Sequence, residues 1–289
     1  MIVETWTPLA QFVHMDTNFQ ISRRVFLAAV GSFAATLAPS RAANAAETPL
    51  TAFKPQGSGG FDHSAFSAVL KGVVQPDAHG YNRVAYRALK SKSAALKDYL
   101  SSLQAISPST LSTSEAKAFW INLYNAKTLD VVIDRYPVAS IKKVNLGGGG
   151  LFGSGPWSAK ILAIEGQDLS LDDIEHSILF PLFKDKMLHY ALNCASYSCP
   201  NLAARAYTGD NAAAQMQENA TAYINHPRGV SIDGGVITAS KIYSWYQSGF
   251  GGKAQLKPHW TKFAAPQAAA EIASAEIGGF AYDWRLNDV

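Results

Sequence analysis

The sequence predicts an α+β domain, a helix-rich fold packed on a small mixed or antiparallel sheet. Three features lead there. Apolar residues recur at helical spacing through much of the first half, a two-residue period returns at residues 188–194, and Asp233-Gly234 joins two alternating runs as a hairpin turn would. Helices thus stand before and between strands instead of alternating regularly with them, which argues against a parallel doubly wound sheet.

In chain order, Asp62 can cap a helix running through Val73, and an amphipathic helix is expected over about 83–104. The third helix has the clearest signature. Ser112-Thr113-Ser114-Glu115 is a capping-box pattern; Phe119, Trp120, Leu123, Tyr124, Val131 and Val132 follow at core spacing, and Pro137 forbids continuation. After a glycine-rich loop at residues 147–155, residues 160–164 read as a strand. Ser170 with Asp173 opens a short helix carrying Glu175 and His176, which Pro181 should end. Leu188, Tyr190, Leu192 and Cys194 alternate with His189, Ala191 and Asn193, so a strand is expected there with Cys194 at its end. An alanine-rich helix over 211–224, the hairpin at 229–238 and a helix from Ser240 complete the layout.

The N-terminus carries a different pattern. Arg23 and Arg24, followed at once by Phe26, Leu27 and a short apolar run, resemble a twin-arginine signal; the run is too short for a spanning helix. Ala43-Asn44-Ala45 fits a cleavage site. Residues 1–45 are therefore expected to be a signal peptide, with Met15 as an alternative start because Glu4 and Asp16 are foreign to a signal's basic end. Residues 46–60 are expected to form a flexible tether and 61–289 one globular domain. The expected location is periplasmic or otherwise exported, reached through the twin-arginine export machinery.

Composition excludes some classes of partner. The chain holds 25 basic and 22 acidic residues, and without the leader's three basic and two acidic residues the balance is +2. So small a charge, with no basic run, argues against a nucleic-acid surface. No stretch after the leader approaches the roughly 20 apolar residues of a spanning helix. A small molecule, a peptide or an envelope component is the expected partner.

Several blocks together resemble one family, the domain of unknown function five-four-seven. AFWINLYNAKTL at 118–129, LDDIEHSIL at 171–179, HYALNCASYSCP at 189–200, KIYSWY at 241–246 and YDWRLN at 282–287 stand in its order, and residues 80–86 resemble its early motif. The likeness spans roughly residues 62–287 and implies a fold more than an activity. The chain departs from the pattern twice. Where the resemblance implies an aspartate after the Trp-Tyr pair, the chain reads Tyr246-Gln247-Ser248-Gly249-Phe250, and Phe180 replaces a frequent arginine. The resemblance also implies that plant members keep a cysteine matching Cys194 while admitting serine at Cys199, so a disulfide is not the shared feature.

Cys194 and Cys199 are the chain's two cysteines, and three chemistries stay open for them. An exported chain with an even count suits a disulfide-bonded, noncatalytic envelope module. A cysteine-dependent hydrolase or acyltransferase instead needs a base: Cys194 would attack, His176 would serve as base, and Glu175, Asn125 or Asp283 would orient it in a papain-like or transglutaminase-like arrangement. On a strand, His189 would lie on the opposite face and roughly 16 Å from Cys194. Pro200 suits the first turn of a helix that Cys199 would cap, which would acidify its thiol and make it a resolving partner in a thiol-disulfide redox protein. Zinc on His176, His189, Cys194 and Cys199 lacks paired ligand spacing, so neither a metal nor a cofactor is assigned.

Asn122 and Asn125, three apart on the third helix, are expected to clasp neighbouring backbone. Trp245, Tyr246, Tyr282 and Trp284 are expected in the core, and Glu175 and His176, being adjacent, should face different ways.

Overall fold

The axis of the domain is the helix Thr113–Arg135. Ser112 caps it, its side chain accepting from the backbone N–H of Glu115, and Arg135 stands in the last turn where a cation complements the helix dipole. Almost every residue from Ala116 to Ile133 is buried, Asn122, Asn125, Thr128 and Asp130 among them. A helix apolar nearly all round belongs inside a core. The helix stops at Tyr136, which is extended as the residue before a proline tends to be.

The computed structural model describes residues 52–147 and 155–289, within the unit Ala45–Val289. The expected signal peptide and most of the glycine-rich loop lie outside the described residues. The expected tether is anchored from Phe53 onward: its ring is fully buried, 5.0 Å from that of Trp120, and Gln56 N–H donates to Ser109 O.

Asp62 accepts from the backbone N–H of Ser64 at the start of helix Ser64–Val73, although the N-cap position itself is His63, one residue later than expected. Strands β1 (Val74–Pro76) and β2 (Asn82–Val84) then pair antiparallel. The single helix expected over 83–104 is divided. Residues 82–84 are extended because their partners are remote: Asn82 N–H donates to Asn201 Oδ1 and Val84 N–H to Asn287 O. Helices Tyr86–Ser91 and Ser93–Gln104 follow, broken at Lys92.

Strands β3 (Leu162–Ile164) and β4 (Gln167–Leu169) form a second ribbon. Ser170 and Asp173 then cap each other reciprocally. The segment they open is a π-helix, Asp173–Leu179, and Pro181 does not end it. Pro181 lies in the first turn of the continuing helix Phe180–Phe183, where a missing N–H costs little, and left-handed Lys184 stops the chain instead.

The strand expected at 188–194 is absent. Lys186–Tyr190 is a 3-10 turn capped by Asp185, and every residue from Leu188 to Cys194 is buried. With both alternating sets inside, the two-residue period reports burial and not a sheet face. Cys199 caps no helix either, because the chain after Pro200 is irregular.

Helix Ala212–Ile224 leads to the hairpin of β5 (Val230–Asp233) and β6 (Val236–Ser240), turned at Gly234 and Gly235, both with positive φ. Short helix Ile242–Trp245 and helices Leu256–Phe263 and Pro266–Ser274 precede β7 (Glu276–Ala281), which pairs parallel with β6. The fold is α+β with a mixed three-stranded sheet. One core surrounds the central helix and includes both cysteines; a second gathers Tyr190, Tyr223, Tyr243, Phe250 and Trp260. Tyr282 packs against both, which places the thiols at their seam.

Candidate thiol site

The loop from Ala191 to Asn201 carries both cysteines and is fixed by amides. Asn125 Nδ2 donates to Ala191 O at 2.8 Å and its Oδ1 accepts from Asn193 N–H at 2.9 Å. Asn122 clasps Tyr207 in the same two-sided way. Asn193 bonds Ala195 N–H and Pro200 O, closing the loop on itself, and Ser198 Oγ accepts from Asp283 N–H. Between the cysteines Ala195 is held at φ +61°, a conformation that persists only where the surroundings enforce it.

Both thiols are free and buried, Cys194 8% and Cys199 3% exposed. The disulfide, one of the three chemistries left open by the sequence, is therefore not formed. The Cys194 backbone N–H donates to Cys199 Sγ at 3.0 Å. Each sulfur lies 3.2 Å from the Tyr282 hydroxyl, which also meets Ser196 Oγ at 2.8 Å, and Ser196 Oγ is 3.4 Å from Cys194 Sγ.

These contacts differentiate the pair. Burial raises the Cys199 thiol, but hydrogen bonds from Cys194, Ser196, Tyr282 and the Cys194 N–H outweigh it and bring the group down to about 6. Burial, reinforced by the charge on Cys199, holds Cys194 well above its ordinary range. One negative charge is thus favoured, on Cys199. Arg228 lies beside it, 7% exposed, with Nε donating to Cys199 O at 3.1 Å and Nη2 to Asn201 Oδ1 at 2.6 Å. Its guanidinium stacks on Tyr81 and Tyr223, and among the described residues no carboxylate pairs with it.

The sulfurs border a cavity of about 30 Å³ shared with Tyr124, Glu175, His189, Trp245 and Tyr246. That is room for one or two water-sized molecules. Burial raises the Glu175 carboxyl, opposed by His176 and by hydrogen bonds from Tyr246 and Tyr124. Tyr246 OH donates to Glu175 Oε1 at 2.6 Å and lies 3.5 Å from His176 Nε2. Glu175 faces the thiol cavity and His176 a neighbouring cleft, so the adjacent pair does diverge.

The proposed Cys194, His176 and Asn125 constellation is not assembled as a hydrogen-bonded triad. His176 bonds the Asp172 carbonyl and approaches Tyr246, Asn125 is committed to backbone, and the Asp283 carboxylate holds Arg285. His189, expected far from Cys194, shares its cavity because the 3-10 turn shortens the path a strand would have stretched. Among the described residues no cluster of three or more histidine, cysteine or acidic side chains is arranged to hold a metal ion. Trp245, Tyr282 and Trp284 do pack together, with ring centroids 4.6 to 5.7 Å apart, but the Tyr282 hydroxyl belongs to the site.

Sequence reasoning missed Tyr282, Ser196 and Arg228 as site residues. Ser196 lies between the cysteines and could have been weighed as a donor; nothing in the run His226-Pro227-Arg228-Gly229 marks Arg228 as buried.

A family model described as Protein of unknown function, DUF547, matches residues 108–224. The matched segment contains the central helix, the π-helix and the whole thiol loop, and ends before Arg228, Tyr246 and Tyr282. No curated protein and no solved structure matches the chain.

Proposed function

For a chain that carries a DUF547 segment over residues 108–224, we propose a dithiol redox activity in which Cys199 is the attacking thiolate and Cys194 the resolving thiol. The observation that carries this reading is the Cys194 N–H donating to Cys199 Sγ at 3.0 Å. A thiolate so held needs no histidine base, and none bonds either sulfur among the described residues. The size of the cavity favours a small oxidant over an acyl substrate: about 30 Å³ admits hydrogen peroxide without rearrangement.

The steps balance. The Cys199 thiolate attacks one peroxide oxygen, the O–O bond breaks, and the departing hydroxide takes a proton from solvent, relayed by the Tyr282 and Ser196 hydroxyls, to leave as water. Cys199 becomes a sulfenic acid. Cys194, giving up its proton, attacks that sulfur; the S–O bond breaks, a second water leaves and the two cysteines are joined. A reducing dithiol must then restore the pair. Export to an oxidising compartment, proposed on the twin-arginine pattern alone, accords with such a cycle.

The test treats reduced protein with hydrogen peroxide, then blocks free thiols and reads intact mass. Wild type should lose both reactive thiols and about 2 Da. Cys194→Ser should stop at a sulfenic acid on Cys199, trapped by dimedone, and Cys199→Ser should react at least ~10-fold more slowly. Sulfenic acid forming first on Cys194, or thiols that remain unoxidised, would remove this reading and return the site to the cysteine hydrolase alternative, for which Glu175 in the same cavity is the available proton donor.

No helix among the described residues is long and apolar enough to cross a membrane.

A further inference from the structure

Tyr246, Trp245 and His189 separate the thiol cavity from a larger cleft with two lobes. The inner lobe, about 380 Å³, presents Phe180, Trp245 and Tyr246; the outer, about 630 Å³, presents His259, Lys262 and Phe263. Lys184, Asp185, Lys186 and Gly249 line both, so they mark the junction.

The junction is positive. Among the described residues Asp185 is the one carboxylate lining either lobe, and its Oδ2 is taken by Lys117 at 3.0 Å while its Oδ1 accepts from Met187 N–H. Among the described residues, Lys184, Lys186 and Lys262 have no anionic partner. A second observation points to the same place. His189 is 6% exposed, its ring packed against Phe180 at 4.3 Å, Tyr246 at 4.4 Å and Phe250 at 4.9 Å, yet neither ring nitrogen has a hydrogen-bond partner among the described residues. Neither nitrogen is among the fully enclosed unpaired atoms, so this nearly buried ring keeps a polar edge open to the adjoining space. A Cβ built on Gly249 would stand 3.4 Å from His189 Nε2 and 3.3 Å from Tyr246 O, so the absent side chain leaves room beside this nitrogen.

We propose that this junction binds the carboxylate or phosphate group of a small ligand with an apolar body. One ligand oxygen accepts from His189 Nε2–H across Gly249, Lys184 and Lys186 supply charge from the rim, and the body lies in the inner lobe on Phe180, Trp245 and Tyr246. The two ammonium groups act as point charges and place no demand on anion shape, whereas the single inward N–H fixes where the anion sits. The inner lobe has the size of an ordinary small-molecule site. This assignment stands whether or not the thiols turn over, because none of its contacts involves a sulfur.

Calorimetric titration of the full chain with 3-phenylpropanoate, phenyl phosphate, the neutral 3-phenylpropanamide and inorganic phosphate tests it. At least one aromatic anion should bind ~10-fold or more tightly than the amide and than inorganic phosphate, and which anion binds identifies the head group. Lys184→Glu with Lys186→Glu, both exposed positions, should weaken that binding by ~10-fold or more. Gly249→Asp, which puts a carboxylate where the ligand's would sit, should abolish it, and Gly249→Ala should weaken it less. The nitrogen-15 resonances of His189 should move on binding in wild type. An amide that binds as well as the anions, inorganic phosphate that binds as well as phenyl phosphate, absence of binding by either anion, or binding unchanged in Gly249→Asp would each overturn the assignment.

Discussion

Arg228 donates through Nε to the carbonyl of Cys199 at 3.1 Å, and among the described residues no carboxylate forms an ion pair with it. Burial holds the Arg228 guanidinium below its ordinary range against the opposing influence of Tyr223, Tyr81 and Cys199, and of these the Cys199 thiol is the one brought down far enough to ionise near neutral pH. Arg228 and Cys199 therefore stabilise each other's ionised forms. Arg228→Met should raise the pH at which thiolate absorbance appears by roughly one pKa unit or more, while Arg228→Lys, which keeps the charge, should raise it less. A midpoint unmoved in Arg228→Met would mean that the arginine only braces the loop.

The Tyr282 hydroxyl reaches both sulfurs and Ser196, so Tyr282→Phe removes a donor from the thiolate without changing the packed ring. The expected outcome is a higher thiolate midpoint with a stability change of about 1 kcal/mol or less. Ultraviolet titration beside urea unfolding checks both halves; a large stability loss with an unchanged midpoint would show Tyr282 to be structural.

Trp120 is fully buried in the central helix, in edge contact with Phe53 and Phe119. Trp120→Ala should destabilise the domain by about 3 kcal/mol or more, through lost burial and the cavity left behind. A change below about 1 kcal/mol in reversible denaturation would contradict this packing.

Acid should destabilise the protein in the range where its buried histidines would gain protons on unfolding. Burial lowers His189 to about 3, with His176 and His259 adding to the effect; burial lowers His63 to about 4 against Asp62, and lowers His259 to about 4 with help from Lys186 and Lys262. Each is neutral in the fold and gains its proton first in the unfolded chain. Stability is therefore present above the ordinary histidine value of 6.5 and is lost as pH falls from there towards 4 to 3. His189 alone should cost about 2 kcal/mol at pH 5 relative to neutral pH. Urea midpoints equal at pH 7 and pH 5 would refute the neutral burial of these rings.

Gly249 shows how far a sequence can go and where it stops. The resemblance marks position 249 as a departure from an expected aspartate, but only the fold reveals that a side chain there would start 3.4 Å from His189 Nε2. The same limit appears at residues 188–194, where alternation reads as a strand although both alternating sets are buried. A one-dimensional pattern records which residues are apolar, not how many sides of them are covered.

The sequence by itself determined the α+β class, the capped central helix, the Asp-Gly hairpin and the cysteine loop as the centre of interest. These depend on local causes: a serine that caps, a proline that stops, glycines that admit positive φ, and apolar periodicity. Only the tertiary structure shows that the Cys194 N–H donates to Cys199 Sγ, that Asn125 clasps backbone, and that Arg228 and Tyr282 lie against the thiol loop. The last two rest on contacts between residues 29 to 88 positions apart, and the first on a bond five residues long in sequence within a loop that those distant contacts fold.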